Sequence, residues 1–475
     1  MPEELIYVFF LIIHCFFISI ELYSPKVVFL QQIEENKMHR PELLLDTTKV
    51  LGPLKALNGG NMAPPLAGSS MNDISEAYKE LRCPYARLHD APLDNKGWRI
   101  VDFNMIFPFM HLDAEDPRNY YFEQTDEYIG NCIRLGTQIV YRLGPSIEHH
   151  YPRYNTRPVP REHWDKWADV ASNIIRHYNE GWGNGFHFNI RYWEIWNEPE
   201  GLWAGPIEDF NEFYCHLAKI LKERFPHLKI GGPAHVRCEK EGHAGKFLQC
   251  CADNKAPLDF YSWHCYTDNV EFMREQVFYA RELVDSYGYP NAELHLNEWH
   301  YVPGSWSRIS KDQKAFHYEH RMKELDAGAF LTATMTVWQE TPLDMANYYT
   351  LTCGAFGLFS LFGVPAKSYY CMKAFGKMLD YPDRVQVLSN DRDLYALACK
   401  DSSGEIALLI SVFHVRGNVI TLKSDRMLVW KEVLSVDIGR NLDPLDVSHD
   451  EDKNIRINIG TKPSVIFARF QSVEA

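Results

Sequence analysis

No Cys-x-x-Cys pair occurs in the 475 residues, and the 11 cysteines are irregularly spaced and odd in number. That excludes a zinc ribbon or a regular disulfide framework and predicts reduced, mostly buried thiols. No Asn-x-Ser/Thr acceptor is present, which fits an unsecreted protein. No Lys/Arg-dense run offsets the formal charge of −14, so no nucleic-acid partner is expected. No Gly-rich phosphate loop follows the first β-like run, as a nucleotide-binding open sheet would want. Ser-His-Asp catalysis has no support either, because no Gly-x-Ser-x-Gly elbow appears.

What is present is ordinary in bulk: 46% hydrophobic and 24% charged residues, long enough for a large barrel plus a smaller module. The aromatic share, 14% with 12 Trp and 26 Tyr, is high; aromatic faces stack on sugar rings, but they also fill cores. One long apolar run, LIYVFFLIIHCFFISI (5–20), follows Glu3 and Glu4 instead of the basic residues of a secretory signal. It is short of the roughly 20 residues of a spanning helix. We read residues 1–37 as an apolar extension, with translation beginning at Met38 and a cytoplasmic protein. A membrane anchor through residues 5–23 is the alternative, with Lys26, Lys37 and Arg40 keeping the body on the cytoplasmic side.

From residue 50 short β-rich runs alternate with longer amphipathic ones. The strand candidates are 50–59, 85–90, 138–144, 190–198, 228–235, 258–266, 292–301 and 331–339. Helical stretches between them, such as EHWDKWADVASNIIRHYN, carry apolar residues at three- and four-residue spacing. This alternation predicts an α/β fold, a (β/α)8 TIM barrel over 38–380. Beyond it, 381–475 reads as short alternating strands between turns, a C-terminal antiparallel β-sandwich that can recruit a strand from 41–50.

Barrel active sites sit at the C-terminal strand ends. On this assignment RYWEIWNEPEG (191–201) puts Glu198 at the end of strand four. The other ends hold Asp90, Gly144, His235, Tyr266, Glu298 and Gln339, so Glu298 in ELHLNEWHY is the one second glutamate. The two are 298 − 198 = 100 residues apart, yet strands four and seven face each other across a barrel mouth. Paired carboxyls at a cleft are the equipment of glycoside hydrolysis, one protonated and one ionised. Apolar company disfavours charge, so Glu198 between Trp196 and Pro199 suits the acid; Glu298, with Asn297, His264 and Tyr266 nearby, suits the ionised nucleophile. For direct attack their carboxyls should lie about 5–5.5 Å apart. Taken singly, each motif could be a strand end and turn; the pairing at strands four and seven carries the reading. Glu194, one layer deeper on the same side, is expected to pair with Arg87 or Arg142. Glu148, His149 and His150, and His317 and His320, suggest no complete ligand set, so no metal or organic cofactor is expected.

WEIWNEP, DFYSWHCY and NEW, in this order before a trailing sandwich, resemble glycoside hydrolase family 39, the family of β-xylosidases and α-L-iduronidases. The resemblance covers the chain from about residue 40. It implies a retaining, exo-acting, β-xylosidase-like enzyme with Glu198 as acid/base and Glu298 as nucleophile. It also implies that Asn197 binds the sugar 2-hydroxyl, that His264 and Tyr266 line the donor site, and that Trp338 forms a platform under the sugar. His89 and Arg87 would help recognise hydroxyls. The implied partner is an oligosaccharide or small glycoside, and a homo-oligomer is compatible with it. An iduronidase, galactosidase, glucosidase or arabinosidase, and a non-catalytic carbohydrate-binding protein on the same fold, remain the alternatives.

Overall fold

The computed structural model describes residues 40–64, 73–88, 100–145, 159–304, 321–354, 356–360 and 362–473. The chain enters through β1 (Glu42–Pro53), which stays out of the barrel. It pairs antiparallel with β10 (Asp383–Ser389) and parallel with β13 (Val419–Ser424). Eight parallel strands then close the barrel: β2 (Gly59–Asn61), β3 (Tyr85–Leu88), β4 (Gln138–Leu143), β5 (Tyr192–Ile195), β6 (Lys229–His235), β7 (Phe260–Thr267), β8 (Glu293–Tyr301) and β9 (Met345–Tyr348).

The outer helices form where the sequence favours them. Asn269 caps the helix Val270–Ser286 by accepting from Phe272 N, and Gly181 ends Trp164–Glu180 in the left-handed region. Ile207–Arg224 opens with Glu208 and Asp209 and closes with Lys222 and Arg224, each sign complementing the helix dipole.

Two strand assignments need correction. The run 50–59 is divided: residues 50–53 finish β1, 54–58 form a connection, and the first barrel strand is only Gly59–Asn61. Its glycines answer to crowding, since a Cβ on Gly60 would meet the Leu351 side chain at 2.2 Å. The run 331–339 is no strand but most of the helix Leu325–Val337 and a following 3-10 turn, and the eighth strand is β9. That helix is wedged between the barrel wall and the C-terminal sheet, so it is apolar on all sides and shows no 3.6-residue periodicity.

The remaining strands, β11 (Leu394–Lys400), β12 (Glu405–Val412), β14 (Met427–Val436), β15 (Asn441–Pro444), β16 (Val447–His449), β17 (Ile455–Asn458) and β18 (Ser464–Val473), complete a curled ten-stranded, mostly antiparallel sheet with β1, β10 and β13. β12 is buried throughout because both its faces are covered. Ala407 and Leu409 join the barrel core, whereas Ile406, Leu408, Ile410 and Val412 fill the inside of the curl. Ser411 Oγ donates to Ala329 O of the wedged helix at 2.7 Å, fastening sheet to barrel. Among the described residues no helix is long and apolar enough to cross a membrane; residues 5–23 lie outside them.

Candidate active site

Just past β5 the backbone turns sharply, with Trp196 at φ 71° and Glu198 at φ 42°. Such left-handed conformations cost a non-glycine residue about 1–3 kcal/mol and persist only under firm support. Here Trp196 is packed edge-on against Trp203, Glu198 N donates to Ala234 O at 3.0 Å, and Pro199 starts a one-turn helix. The Glu198 carboxyl is thereby presented at the C-terminal mouth of the barrel.

On β8 the ladder is irregular: Trp263 pairs with Leu296 but His264 with Glu298, and a second shift lies between Leu296 and Trp299. Strict alternation would send Asn297 and Glu298 to opposite faces. The irregularity re-aims them, and both side chains reach the network on the barrel axis.

Arg87 on β3 is the centre of that network and is fully buried. It donates from Nε to Glu194 Oε2 (2.5 Å), from Nη1 to Asn61 Oδ1 (3.0 Å) and Glu298 Oε1 (2.8 Å), and from Nη2 to Asn197 Oδ1 (2.6 Å). Burial alone would lower its pKa, but Glu194 and Glu298 hold it above the ordinary value. Glu194 therefore has Arg87 as its partner; it also accepts from Ser262 Oγ (2.7 Å) and Asn297 Nδ2 (2.5 Å). Arg142 instead donates to Pro145 O at 2.7 Å.

Above this floor, Tyr266 OH donates to Glu298 Oε2 at 2.7 Å. His264 Nδ1 lies 2.8 Å from Glu198 Oε1 and 3.5 Å from Glu298 Oε2. One carboxylate oxygen of each glutamate and a nitrogen of His264 lie within 4.8 Å of one another. The Glu198 side chain is 30% exposed and that of Glu298 only 4%. Desolvation pulls the His264 pKa down, yet the charges of Glu298 and Glu198 outweigh it and leave the imidazole above its usual value. The same trio has the donor types of a cation site, but Arg87 and Tyr266 already engage both oxygens of Glu298.

The structure thus brings together Glu198, Glu298, Asn197, His264 and Tyr266. Asn197 Nδ2 and His264 Nε2 are buried with no hydrogen-bond partner among the described residues. Two readings are corrected. Arg87 offers no exposed surface, and its bonds go to carboxylates and amides of the protein, so it positions the site instead of touching sugar hydroxyls. Trp338 stands outside the barrel wall, fully buried, edge-on to Trp299, with Nε1 donating to Met273 O at 3.0 Å. A ring with no accessible face cannot lie under a sugar. Trp338→Ala is therefore expected to lower unfolding stability by about 3–5 kcal/mol, read by denaturant titration, with KM unchanged in whatever fraction folds. His89, Asp90, Glu148, His149, His150, His317 and His320 lie outside the described residues.

Periodicity missed four participants. Ser262 stands two residues before His264, and strand parity would have found it. Asn61 closes a three-residue strand too short to detect. Tyr349 follows the displaced eighth strand, with its ring 6.3 Å from that of Tyr266. Glu200, whose Oε2 is buried without a partner among the described residues, has its pKa pushed up to about 7 by burial and then by Glu198.

A closed eight-stranded barrel with two carboxylates meeting at its mouth beside a trailing β-sheet defines a glycoside hydrolase. Residues 58–287 match the model of glycosyl hydrolases family 39, and this match, with the relatives below, supports that family, whose general mechanism is retaining. The matched span includes Glu198, His264 and Tyr266 and stops before Glu298. Curated relatives include a β-xylosidase of Geobacillus stearothermophilus, 23% identical over 423 residues (79% of this chain, 81% of that protein). Another, from Caldicellulosiruptor saccharolyticus, is 24% identical over 381 residues (72% and 71%). Among solved structures, a glucosidase from Croceicoccus marinus has TM-score 0.75 at 21% identity, covering 92% of this chain and 99% of that one. A family 39 β-xylosidase from Caulobacter crescentus has TM-score 0.65 at 15% identity (90% and 99%).

Proposed function

We propose that the chain is an exo-acting β-xylosidase that works by double displacement, with Glu298 as nucleophile and Glu198 as acid/base. The approach of the two carboxylates, within 4.8 Å through oxygens that share His264, carries the reading, because direct attack leaves no room for an intervening water. Arg87 and Tyr266 favour the ionised form of Glu298. Its oxygen attacks the anomeric carbon while Glu198 gives its proton to the departing glycosidic oxygen, and the bond to the aglycone breaks. Glu198, now a carboxylate, takes a proton from water; the water oxygen displaces Glu298 and the sugar leaves with its configuration retained. His264 steadies Glu198 between these two duties. The Nδ2 of Asn197, without a partner among the described residues, supplies a donor for the sugar 2-hydroxyl, and Tyr266 with Tyr349 offers aromatic surface beside the nucleophile.

The β-xyloside preference follows the two curated relatives, which are β-xylosidases over seven-tenths or more of this chain. A panel of nitrophenyl glycosides tests it. The β-D-xyloside is expected to have the highest kcat/KM, with β-xylose the first product seen by NMR. A glucoside, galactoside or arabinoside turned over faster would replace the sugar assignment, and no turnover on any would leave a binding protein.

Glu198→Ala separates the acid from the base. With a poor leaving group kcat/KM should fall by about 10²–10⁴-fold, whereas a dinitrophenyl xyloside, which departs unaided, should keep its first step and accept azide in the second. Equal losses on both substrates would remove Glu198 from the role.

A further inference from the structure

Helices Ile207–Arg224 and His243–Asp253 pack against one another on the outer wall and bring three thiols together. Cys215 Sγ lies 3.8 Å from Cys250 Sγ and 3.8 Å from Cys251 Sγ. That is contact without a bond, since a disulfide is about 2.05 Å long. The two neighbours of Cys215 differ in access. Cys251 is fully buried, whereas Cys250 is half-buried. With Cys215 it lines an open cavity of about 890 Å³ that Lys219, Lys246, Glu208 and Glu212 also border. None of these thiols belongs to the sugar chemistry at the strand ends.

We propose that Cys250 and Cys215 form a modification site, oxidised to an intramolecular disulfide by a small-molecule disulfide such as oxidised glutathione. The Cys250 thiolate attacks one sulfur of the reagent, whose S–S bond breaks and releases one glutathione thiolate. The Cys215 thiolate then attacks the Cys250 sulfur of the mixed disulfide and expels the second. Two protein thiols are oxidised, one glutathione disulfide is reduced, and the two thiol protons pass to the departing thiolates. Access makes Cys250 the entry point, and the geometry makes Cys215 the resolving partner. The S–H hydrogen bond shared with Cys215, and then burial, hold the Cys250 thiol above the usual thiol range, so exchange is slow near neutrality and quickens with pH. The bridge would staple the helix whose first turns carry Phe210 and Phe213, the rings that back Trp203 and Trp196 behind the Glu198 loop.

The test incubates the full chain with excess oxidised glutathione at mildly alkaline pH, then alkylates it and maps unreduced peptides by mass spectrometry. A Cys215–Cys250 bridge is expected, reversed by reduced glutathione and accompanied by a higher unfolding midpoint, because a loop of 250 − 215 = 35 residues is closed. Cys251→Ala should oxidise at the wild-type rate, while Cys250→Ala should neither take up glutathione nor bridge Cys215 to Cys251. A stable glutathione adduct on Cys250 without a bridge, oxidation of Cys250→Ala at the wild-type rate, or no reaction at all would each overturn the proposal. Cys215→Ala should stop at the adduct; should that variant misfold, the wild-type and Cys251→Ala maps decide alone.

Discussion

Glu298→Ala is expected to lower kcat/KM on a nitrophenyl β-xyloside by about 10⁵–10⁶-fold, the scale on which a covalent nucleophile is lost. Affinity for the unreacted sugar should survive, since the pocket around it is unchanged. The fold should survive too, because Arg87 keeps Glu194, Asn61 and Asn197 as partners. Glu298→Gln is the sharper control: it preserves shape and removes only the attacking charge, so it should be nearly as inactive while leaving the calorimetric Kd for a xylo-oligosaccharide within a few-fold. A loss below tenfold in either variant would take the nucleophile away from β8 and the mechanism with it.

Arg87→Ala should be costly for a different reason. One guanidinium answers four side chains from three strands and their ends: Asn61 of β2, Glu194 of β5 with Asn197 just beyond it, and Glu298 of β8. Removing it leaves Glu194 buried as an uncompensated carboxylate beside a second one, a change worth about 3–5 kcal/mol of unfolding free energy. Against a total stability of about 5–15 kcal/mol, that brings the barrel near its limit. Whatever folds should also lose about 100-fold in kcat, because Glu298 is held on one side only and small displacements at a reacting atom are heavily penalised. Arg87→Lys should recover little, since a single ammonium cannot span the four acceptors. Denaturant titration read by tryptophan fluorescence checks the first effect, and a midpoint equal to wild type would dismiss the floor network as a source of stability.

Some of this was written in local pattern. Helices with one apolar face, such as Trp164–Glu180, announce themselves because water lies on one side and core on the other. The barrel strands between them follow by alternation, which is why the sequence alone makes Glu198 and Glu298, a hundred residues apart, neighbours across the barrel mouth. Ser262, two positions from His264, was within reach of the same logic.

Three features were not legible. The helix Leu325–Val337 is covered on every side, and a segment with no solvent face carries no periodic signal, so its Thr-rich tail reads as a strand and takes Trp338 with it. The shift in the β8 ladder, which turns both Asn297 and Glu298 inward, depends on how β7 and β9 pair with it. Arg87 looks like any strand-end cation until the barrel closes around it. Amino-acid sequence by itself determined the order of elements and the residue types at their ends, because those depend on neighbours a few positions away. Which charges meet, which face water and which are sealed beneath them was decided by closure of the barrel, since burial and pairing belong to residues distant in the chain.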